Sequence, residues 1–495
     1  MVLKANDGSV DITGELLSFE DGFYTIRSVL GDMRISAARM SCEGAGCPQI
    51  DVSGADIVVA GSDTLGEGLM PLLLTGYASS LGGEAEARTG NDDTQAIVEL
   101  TADGGFGDPM GSFLITSTSS SSAFEALLAK RAEIGMSSRR ITPPEARSLR
   151  DSGAGNMVDI QQEHVVAVDS LLIIVHPDNP IDTIALADLA GIYTGRITNW
   201  SELGGPDAPI TAYGLTEDSG TRNVFESRVL GEAQAQGGFT MRVVDSNNDM
   251  AAAVNGDPGG IGYAGYAFQR GAKSLSVVSE CGITARPDAF SAKTEDYPLQ
   301  RRLYLYNRAD ELSERSEDFL NYAISARADG VVAKSGFIDL GVARVSQDDT
   351  SGRMRDLIQN TRDAYELTLM RDLLVEMLSW DRLSTTFRFA SGSSQLDNKA
   401  RLDMARLIDY LENQPAGTRV ALVGFTDGDG AFEANRALSV GRAQQVAQEL
   451  NAVAGGRLNH LEFEAKGFGE LSPSACNETI EGRRINRRVE VWIQS

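Results

Sequence analysis

Two patterns of apolar and polar positions occupy the first 345 residues. Up to residue 50 the two kinds of residue alternate, as in the segment from Phe23 to Val29, and a period of two is typical of strands with one buried face. Residues 1–50 therefore predict a small β module. From residue 51 to residue 345, short apolar runs alternate with stretches of helical character. That alternation is the pattern of α/β architecture.

The pattern after residue 345 predicts a helical connector and a further α/β domain. Residues 346–383 are charged, and residues 353–378 contain neither proline nor glycine, which favours a helix. Apolar residues recur at i, i+3, i+4 and i+7 from Ala443 to Leu450 and predict a helix with one buried face. In residues 384–495, strands are predicted at 386–389, 420–425, 461–465 and 488–493, and another helix at 399–411. The predicted fold class is thus a multidomain α/β protein.

Length and charge narrow the possible functions. A chain of 495 residues has room for several domains, each with its own core. The formal net charge of −26 argues against nucleic acid and anionic membranes as partners. No apolar run reaches the roughly 18 residues that a membrane-spanning helix needs, so no transmembrane segment is predicted.

Nothing in the sequence indicates catalysis. The three histidines, His164, His176 and His460, are scattered and form no ligand cluster. A phosphatase would need a nucleophile beside a metal set, and neither is apparent. We therefore predict no catalytic residues, no metal site, no cofactor and no enzymatic activity.

Four cysteines are too few for a disulfide scaffold. Cys42 and Cys47 enclose the flexible sequence Glu-Gly-Ala-Gly, and we expect them to form a small disulfide loop. Cys281 and Cys476 lie far apart along the chain. They either pair between domains or remain buried thiols, and the sequence leaves both possibilities open.

Hydroxyl-rich segments precede three predicted helices. They are Gly61 to Thr64, the serine run that ends at Ser122, and Ser219 to Thr221. Each offers hydroxyl donors, backbone N–H groups and the positive end of a helix dipole, which together suit an anion. Taken singly, each segment is more simply an ordinary helix cap.

Several motifs resemble, in order, those of the periplasmic phosphate-binding proteins of ABC transporters. They are Ala60 to Thr64, Ala132 to Arg139, Ala190 to Gly205, Asp218 to Arg222, Asp257 to Tyr263, and Tyr297 to Arg301. The resemblance covers residues 51–345 and implies a two-lobed, hinge-connected domain that captures phosphate or a related oxyanion. It also implies an ABC permease as a partner. On this template the three helix openings converge on one cleft.

The resemblance assigns a set of anion-binding residues to that cleft. They are Ser62, Asp63, Thr64, Ser120, Ser121, Ser138, Arg139, Ser219, Gly220, Thr221 and Arg222. Arg139 or Arg222 is expected to supply charge-assisted hydrogen bonds.

Two positions depart from the family pattern: Leu215 stands where an arginine is usual, and Ser138 where an aspartate often accepts the proton of hydrogen phosphate. Asp63 is a substitute acceptor. Weaker phosphate binding, another oxyanion and a scaffold role all remain open.

The last hundred residues resemble the OmpA-like peptidoglycan-binding domain. The resemblance rests on Gly-Phe-Thr-Asp ending at Asp427, on Asn435, on Leu-Ser-x-x-Arg-Ala around Arg442, and on Asn-Arg-Arg ending at Arg488. It implies that Asp427 and Arg442 grip the ammonium and carboxylate of diaminopimelate in the wall peptide. Asn435 and Arg488 are expected to orient that pair or to contact the peptide. A surface ion pair between Asp427 and Arg442 is the alternative.

These resemblances imply a periplasmic protein attached to the cell wall or the outer-membrane side. No signal peptide is apparent, because Met1 to Lys4 leads straight into polar residues, and we expect that one has been removed. The resulting prediction is a β module (1–50), a two-lobed binding domain (51–345), a helical connector (346–383) and an OmpA-like tether (384–495). The alternative is a structural envelope protein, sensor or adhesin whose binding domain has lost its transport ligand.

Overall fold

The computed structural model of this chain describes most of its 495 residues. The described ranges are 1–5, 10–20, 23–29, 31–36, 40–43, 47, 54–90, 94–103, 108–217, 219–231, 240–347, 353, 357, 364–389 and 396–494. Within them the chain forms two compact units. The first comprises Met1–Val59 and Ala78–Thr116, and the second comprises Ala60–Tyr77 and Ser117–Ser495.

The first unit begins with a small antiparallel sheet. Its strands are β1 (Val2–Ala5), β2 (Asp11–Glu20), β3 (Phe23–Ser28), β4 (Gly31–Ser36) and β5 (Met40–Glu43), in the order β4-β3-β2-β1-β5. Burial alternates along β3, where Tyr24 and Ile26 join Leu3 in a small core. A disulfide joins Cys42 to Cys47, whose Cα atoms are 5.8 Å apart. Within the described part of residues 1–50, the alternating apolar and polar residues therefore lie in strands.

Four more strands continue the chain. They are β6 (Ile57–Ser62), β7 (Gly83–Thr89), β8 (Gln95–Ala102) and β9 (Pro109–Thr118). β8 pairs antiparallel with both β7 and β9. β6 ends at Ser62, the first of the predicted anion-binding residues.

One long buried strand organises the central region, residues 60–343 of the second unit. The strands of this region are β10 (Ile134–Ser137), β11 (Glu163–Val175), β12 (Thr183–Ala185), β13 (Thr211–Leu215), β14 (Arg242–Val244), β15 (Gly260–Gly265), β16 (Lys273–Val278), β17 (Thr284–Ala285) and β18 (Gln300–Asn307). All 13 residues of β11 are buried. Its first part pairs with β18, and its last part pairs with β15 and β16. β11 therefore passes from one lobe to the other in a two-lobed α/β fold.

Helices connect these strands. They are α1 (Asp63–Gly68), α2 (Met70–Ser80), α3 (Ser120–Leu128), α4 (Pro143–Asp151), α5 (Leu186–Tyr193), α6 (Gly220–Phe225), α7 (Asn247–Asn255), α8 (Ala289–Lys293), α9 (Glu314–Ala323) and α10 (Ala326–Lys334). Shorter turns of helix occupy Trp200–Leu203, Glu226–Leu230 and Tyr266–Phe268. α1, α3 and α6 begin at the three hydroxyl-rich segments.

The C-terminal region, residues 344–494, is a five-stranded sheet with helices on both faces. Its strands are β19 (Arg344–Ser346), β20 (Asp381–Arg388), β21 (Arg419–Phe425), β22 (Glu462–Gly467) and β23 (Arg488–Gln494), in the order β19-β20-β23-β21-β22. Its helices are α11 (Ala364–Ser379), α12 (Asn398–Glu412), α13 (Phe432–Ala454) and α14 (Ile480–Asn486).

Both faces of β21 are buried, which explains its continuous apolar run. Val420 and Leu422 pack in a core with α12 and α13, whereas Val423 and Phe425 pack in a second core with Leu373 of α11. The predicted connector therefore contributes a helix that covers one face of the C-terminal sheet. Much of the interval between β19 and α11 lies outside the described residues.

Glu490 is a fully buried carboxylate at the centre of this second core. It accepts hydrogen bonds from Arg353 Nη2 (2.9 Å), Arg488 Nε (2.8 Å) and Trp492 Nε1 (2.8 Å), and it lies 3.2 Å from Arg382 Nε. Burial alone would raise the pKa of Glu490, but the surrounding arginines reverse that effect and hold its pKa below the usual 4.5.

Ion pairs and a disulfide join the C-terminal region to the central region. Glu295 accepts from Arg302 Nε (2.6 Å) and Arg388 Nε (3.2 Å), and its pKa is lowered because these cations outweigh the effect of burial. Further pairs are Asp296 with Arg382 (2.7 Å), Asp397 with Arg302 (2.8 Å) and Asp329 with Arg406 (2.9 Å). Cys281 and Cys476 form a disulfide with Cα atoms 5.6 Å apart. Of the two possibilities that the sequence left open, the structure has the inter-domain pairing.

The buried Glu490 generates a prediction about acid stability. Glu490→Gln leaves the arginines without their carboxylate, so we expect a loss of about 3–5 kcal/mol in the free energy of unfolding at neutral pH. Because the pKa is lowered in the folded state, the contribution of Glu490 is complete above its ordinary value and is lost as the pH falls towards the folded value. The variant should therefore lose less stability than the wild type on acidification below about pH 4.5.

Urea unfolding at a series of pH values, followed by tryptophan fluorescence, measures this effect. Glu462→Gln is the matched control, because Glu462 is exposed. Parallel pH profiles for the wild type and Glu490→Gln would contradict the role assigned to Glu490.

The two disulfides generate a second prediction. Cys281 and Cys476 close a loop with a sequence separation of 195, whereas Cys42 and Cys47 are separated by 5. If a disulfide stabilises mainly by restricting the unfolded chain, removing the disulfide that closes the longer loop should cost more stability. The expected cost is about 2–5 kcal/mol in the free energy of unfolding. We expect a larger fall in the urea midpoint for the double variant Cys281→Ser, Cys476→Ser than for Cys42→Ser, Cys47→Ser.

Alkylation before reduction, followed by mass spectrometry, tests the oxidation state directly. The oxidised chain should take up no label, and the reduced and unfolded chain should take up four, one for each cysteine. Labelling of any cysteine pair without reduction would exclude that disulfide.

Candidate functional sites

In the first hydroxyl-rich segment, Gly61 to Thr64, the polar groups of Ser62 and Thr64 contact the carboxylate of Asp63. Asp63 Oδ1 accepts from the backbone N–H of Thr64 at 2.7 Å, and it lies 3.3 Å from Thr64 Oγ1 and 3.4 Å from Ser62 Oγ. Ser62 and Thr64 are both buried. Gly61 permits this turn: its φ is +140°, and a Cβ there would lie 2.1 Å from the carbonyl oxygen of Met136. The segment is thereby held against the end of β10.

Ser120, Ser138 and Gly220 meet at one point. Ser120 Oγ accepts from the backbone N–H of Ser138 at 3.0 Å and lies 3.1 Å from Ser138 Oγ, and both side chains are buried. A Cβ added to Gly220 would lie 2.6 Å from Ser138 Oγ and 3.3 Å from Ser120 Oγ. Three segments predicted to share an anion site, at α3, β10 and α6, are therefore adjacent.

Ser121 and Ser219 have other roles. Ser121 Oγ accepts from Arg139 Nη2 at 3.0 Å in an exposed position, and Ser219 caps α6 by accepting from the backbone N–H of Arg222 at 3.4 Å. Asp218, which belongs to the same motif as Ser219, lies outside the described residues.

Both arginines that were expected to bind the anion are paired with carboxylates. Arg139 donates twice to Glu145, at 2.9 and 2.7 Å, and Arg222 donates to Glu226 at 2.7 Å and to the Leu215 carbonyl at 3.0 Å. Glu226 lies one helical turn from Arg222, where side chains meet. Each of these arginines therefore already has a carboxylate partner, and its expected hydrogen bond to the anion stays a prediction.

Arg301 was not among the predicted anion-binding residues, although it contacts one of them, Thr221. It is buried on β18 and donates to Asp169 Oδ2 from Nε (2.9 Å) and Nη2 (2.8 Å), and from Nη2 to Thr221 Oγ1 (3.0 Å). Its Nη1 has no hydrogen-bond partner among the residues that the structure describes. Arg301 belongs to the family motif from Tyr297 to Arg301, which was noted in the sequence. The pairing of Arg301 with Asp169 and Thr221 depends on contacts between residues that are distant in sequence.

Acidic groups also lie on α1. Burial and the charge of Asp63, one turn away, raise the pKa of Glu67 above its ordinary value. A carboxyl group that holds its proton more readily can donate a hydrogen bond, and the neighbouring Asp63 carboxylate can accept one.

A second cluster lies at the end of β21 in the C-terminal region. Asp427 is largely buried and accepts from Arg487 Nη1 at 2.6 Å. Arg442, on α13, lies over the ring of Phe389 at 5.5 Å, and its Nη1 is buried with no partner in the part of the chain described. Burial lowers the pKa of Arg442, and repulsion from Arg487 lowers it further. The cluster thus has two cations for one carboxylate.

Asn435 orders the loop that follows Asp427. Its Nδ2 group donates to the backbone carbonyls of Asp427 (3.4 Å) and Asp429 (3.1 Å) and to the side chain of Glu470. Asn435 therefore holds the backbone of this loop in place, and its proposed role toward Asp427 and Arg442 stays a prediction.

Arg488 requires a correction. It is fully buried, donates to Glu490 and to the Ser472 carbonyl (2.9 Å), and lies over the ring of Phe425 at 4.4 Å. Its side chain therefore belongs to the core. The preceding Arg487 reaches Asp427, because successive residues at the start of a strand point in opposite directions.

The described residues contain one grouping of three potential metal ligands, Cys281, Cys476 and Glu478. The two sulfur atoms of that grouping are joined in the disulfide. Across the described ranges, no helix is both long enough and apolar enough to cross a membrane.

Two family models match the chain. One, described as a PBP superfamily domain, covers residues 54–327, and the OmpA family model covers residues 388–487. The phosphate-binding protein PstS of Bacillus subtilis is 31% identical over 187 residues, or 38% of this chain and 60% of that protein. Outer membrane porin F of Pseudomonas aeruginosa is 35% identical over 117 residues, or 23% of this chain and 32% of that protein. The chain thus spans less than two thirds of either protein.

Among solved structures, a putative phosphate ABC transporter substrate-binding protein with bound phosphate from Clostridium perfringens is 24% identical. The match covers 57% of this chain and 98% of that protein, with a TM-score of 0.43. The model match over residues 54–327 extends across more than half of the sequence. The chain therefore belongs to the PBP superfamily, and it carries a C-terminal domain of the OmpA family.

Proposed function

We propose that this protein captures phosphate or a related oxyanion in the periplasm and is tethered to peptidoglycan by its OmpA domain. The observation that carries the first half is the meeting of Ser120, Ser138 and Gly220, three segments that the sequence had assigned to one anion site. Relatives named as phosphate-binding proteins support the same ligand class. The proposed role is binding without chemistry, with an ABC permease as the partner that takes up the ligand.

Hydroxyl groups can replace the hydration shell of an oxyanion. Ser120 and Ser138 are already held by one another and by a backbone N–H, so they need little reorganisation when a ligand arrives. Gly220 leaves the adjacent space free of a side chain. Hydrogen bonds to a charged ligand are worth more than those between neutral groups.

The choice among oxyanions depends on acceptors as well as donors. Hydrogen phosphate carries a proton that sulfate lacks, so a phosphate site benefits from a carboxylate that accepts it. We assign this role to Asp63, because Ser138 stands where the resembling family often has an aspartate. Asp63 is already oriented by the Thr64 N–H at 2.7 Å.

The OmpA domain has a cluster suited to diaminopimelate, whose side-chain centre carries an ammonium and a carboxylate. We assign the carboxylate to Arg442, whose Nη1 has no partner among the described groups. The ammonium is assigned to Asp427, which shares its carboxylate with Arg487. Two cations beside one carboxylate leave a net positive charge that the ligand carboxylate neutralises.

A structural envelope protein, sensor or adhesin that has lost its transport ligand is the second candidate. The specific observation in its favour is the engagement of Arg139 by Glu145 and of Arg222 by Glu226. Leu215, where an arginine is usual in the resembling family, points the same way. Direct titration with anions separates the two candidates.

The anion cleft makes a prediction about Ser138. Ser138→Ala removes a hydroxyl from the centre of the proposed site, so we expect a loss of about 1.5–3 kcal/mol in phosphate binding, or roughly 10- to 100-fold in affinity. Calorimetric titration of the full chain with phosphate, with sulfate and buffer as comparisons, measures it.

Ser201→Ala is the matched control, because Ser201 is exposed, donates to Asn199 Oδ1 and lies outside the predicted anion-binding set. It should bind phosphate as the wild type does. Equal affinities for folded Ser138→Ala and Ser201→Ala would place the anion elsewhere, and a wild type that binds neither anion would favour the second candidate.

The tether makes a separate prediction. Arg442→Gln removes the donor proposed for the diaminopimelate carboxylate, so we expect a loss of about 1.5–3 kcal/mol, or more than about tenfold in retention on purified diaminopimelate-type peptidoglycan. Arg457→Gln is the control: Arg457 is exposed and pairs with Asp409 and Glu412. Undiminished retention of a folded Asp427→Ala, Arg442→Ala double variant would reject the assignment.

A further inference from the structure

The proposed anion cleft lacks an evident source of positive charge. Arg139 and Arg222 are neutralised by Glu145 and Glu226, and position 215 holds a leucine. Asp63 adds negative charge on the adjoining helix α1. Hydroxyl groups alone would have to offset both this repulsion and the dehydration of the anion.

Arg301 is fixed by hydrogen bonds from Nε and Nη2, and its third nitrogen, Nη1, has no acceptor among the described residues. The Nε–Nη2 edge is occupied by Asp169, while Nη2 also donates to Thr221 Oγ1 at 3.0 Å. Because the guanidinium is a rigid planar fork, the neighbouring Nη1 group points from the same end that faces Thr221. Nη1 is buried and meets no acceptor within the described structure. A buried donor without a partner is costly, so this arrangement calls for a ligand.

We propose that Arg301 supplies the cation of the anion cleft, in place of the arginine absent at position 215. Nη1 donates to the bound oxyanion, and Nη2 remains on Thr221. This assignment rests on the proposed capture of an oxyanion and adds the residue that supplies its charge. Thr221 directly follows Gly220, which lies beside Ser120 and Ser138, so Arg301 contacts the residue next to the hydroxyl cluster.

Asp169 is the positioning residue. It is fully buried, and its Oδ1 accepts from the backbone N–H of Tyr266 at 2.9 Å while Oδ2 holds Arg301. Gly265 provides the necessary space, because a Cβ there would lie 2.9 Å from Asp169 Oδ2. The pair keeps the buried charge compensated in the empty cleft, and it fixes the direction of Nη1.

The same arrangement has a consequence for closure of the cleft. Arg301 and Asp169 face each other across the β11–β18 pairing, whereas Thr221 follows β13, which pairs in the other lobe. The Arg301–Thr221 hydrogen bond therefore joins the two lobes next to the proposed ligand. An anion bound to Nη1 and to the hydroxyl cluster would strengthen this connection.

Arg301→Lys tests the proposal in the full chain. Lysine keeps the charge beside Asp169 but lacks the second donor, so the phosphate affinity should fall at least tenfold while the melting temperature stays near that of the wild type. The double variant Arg301→Met, Asp169→Asn removes both charges together and should bind phosphate still more weakly. Calorimetry with inorganic phosphate measures affinity, and circular dichroism measures folding.

The outcomes separate this inference from the proposed function. If the wild type binds phosphate, Ser138→Ala weakens binding and folded Arg301→Lys binds as the wild type does, the Arg301 assignment is overturned and the cleft stands. If the double variant unfolds, the Arg301→Lys affinity decides. If the wild type binds neither phosphate nor sulfate, both the proposed function and this inference are overturned.

Discussion

The neutralisation of buried carboxylates by arginine is the interaction on which the second unit depends. Glu490 and Glu295 are almost entirely removed from water, and each is surrounded by guanidinium groups. Dehydrating such charges costs several kcal/mol per ion, and only close pairing with further hydrogen bonds offsets that cost. Arg382 connects the two regions, because it contacts Asp296 of the central region and Glu490 of the C-terminal region. Arg388, on the same C-terminal strand, pairs with Glu295 of the central region. The pairing is complete in one arrangement of the regions, which makes the OmpA domain an integral part of the fold.

The same physical rule recurs at both candidate sites, with a different outcome. Arg301 is compensated by Asp169 and Asp427 by Arg487, yet in each cluster one guanidinium nitrogen has no partner in the described structure, Nη1 of Arg301 and Nη1 of Arg442. In the core around Glu490 the arginines share carboxylates. At the two sites an acceptor is missing, and a ligand oxyanion or carboxylate can supply it. In the proposed sites, compensation stabilises the buried charges, and the remaining donor is the group assigned to the ligand.

Periodicity predicted the C-terminal elements well. The expected strand at 420–425 and helix at 399–411 agree closely with Arg419–Phe425 and Asn398–Glu412, because local spacing of apolar residues records which face is buried. The role of the predicted connector was less accessible. Its helix, Ala364–Ser379, packs on the C-terminal sheet. The spacing of apolar residues shows that one face of a helix is buried, but it does not show which element that face packs against.

The candidate sites likewise contain some residues that local sequence could indicate and others that depend on distant contacts. The hydroxyl groups at Ser120 and Ser138 could be located from motifs, because each belongs to a short contiguous segment. Arg301 could not, since its partner Asp169 is 132 residues away and the choice between Arg301, Arg139 and Arg222 depends on which carboxylates fold beside them. The motif could not show that Arg488 is buried in the core while its neighbour Arg487 contacts Asp427, because adjacent side chains at a strand end point in opposite directions.

The disulfide between Cys281 and Cys476 changes how mechanical load passes through the molecule. A protein anchored through its C-terminal domain transmits tension from the anchor to the rest of the chain. If the OmpA domain anchors this chain as proposed, the tension has two covalent routes, the backbone and the sulfur–sulfur bond. The ion pairs between the regions, such as Arg302 with Asp397, are therefore spared the full strain, although water could replace them readily once they were pulled apart. Reduction of this one bond would transfer the load to them.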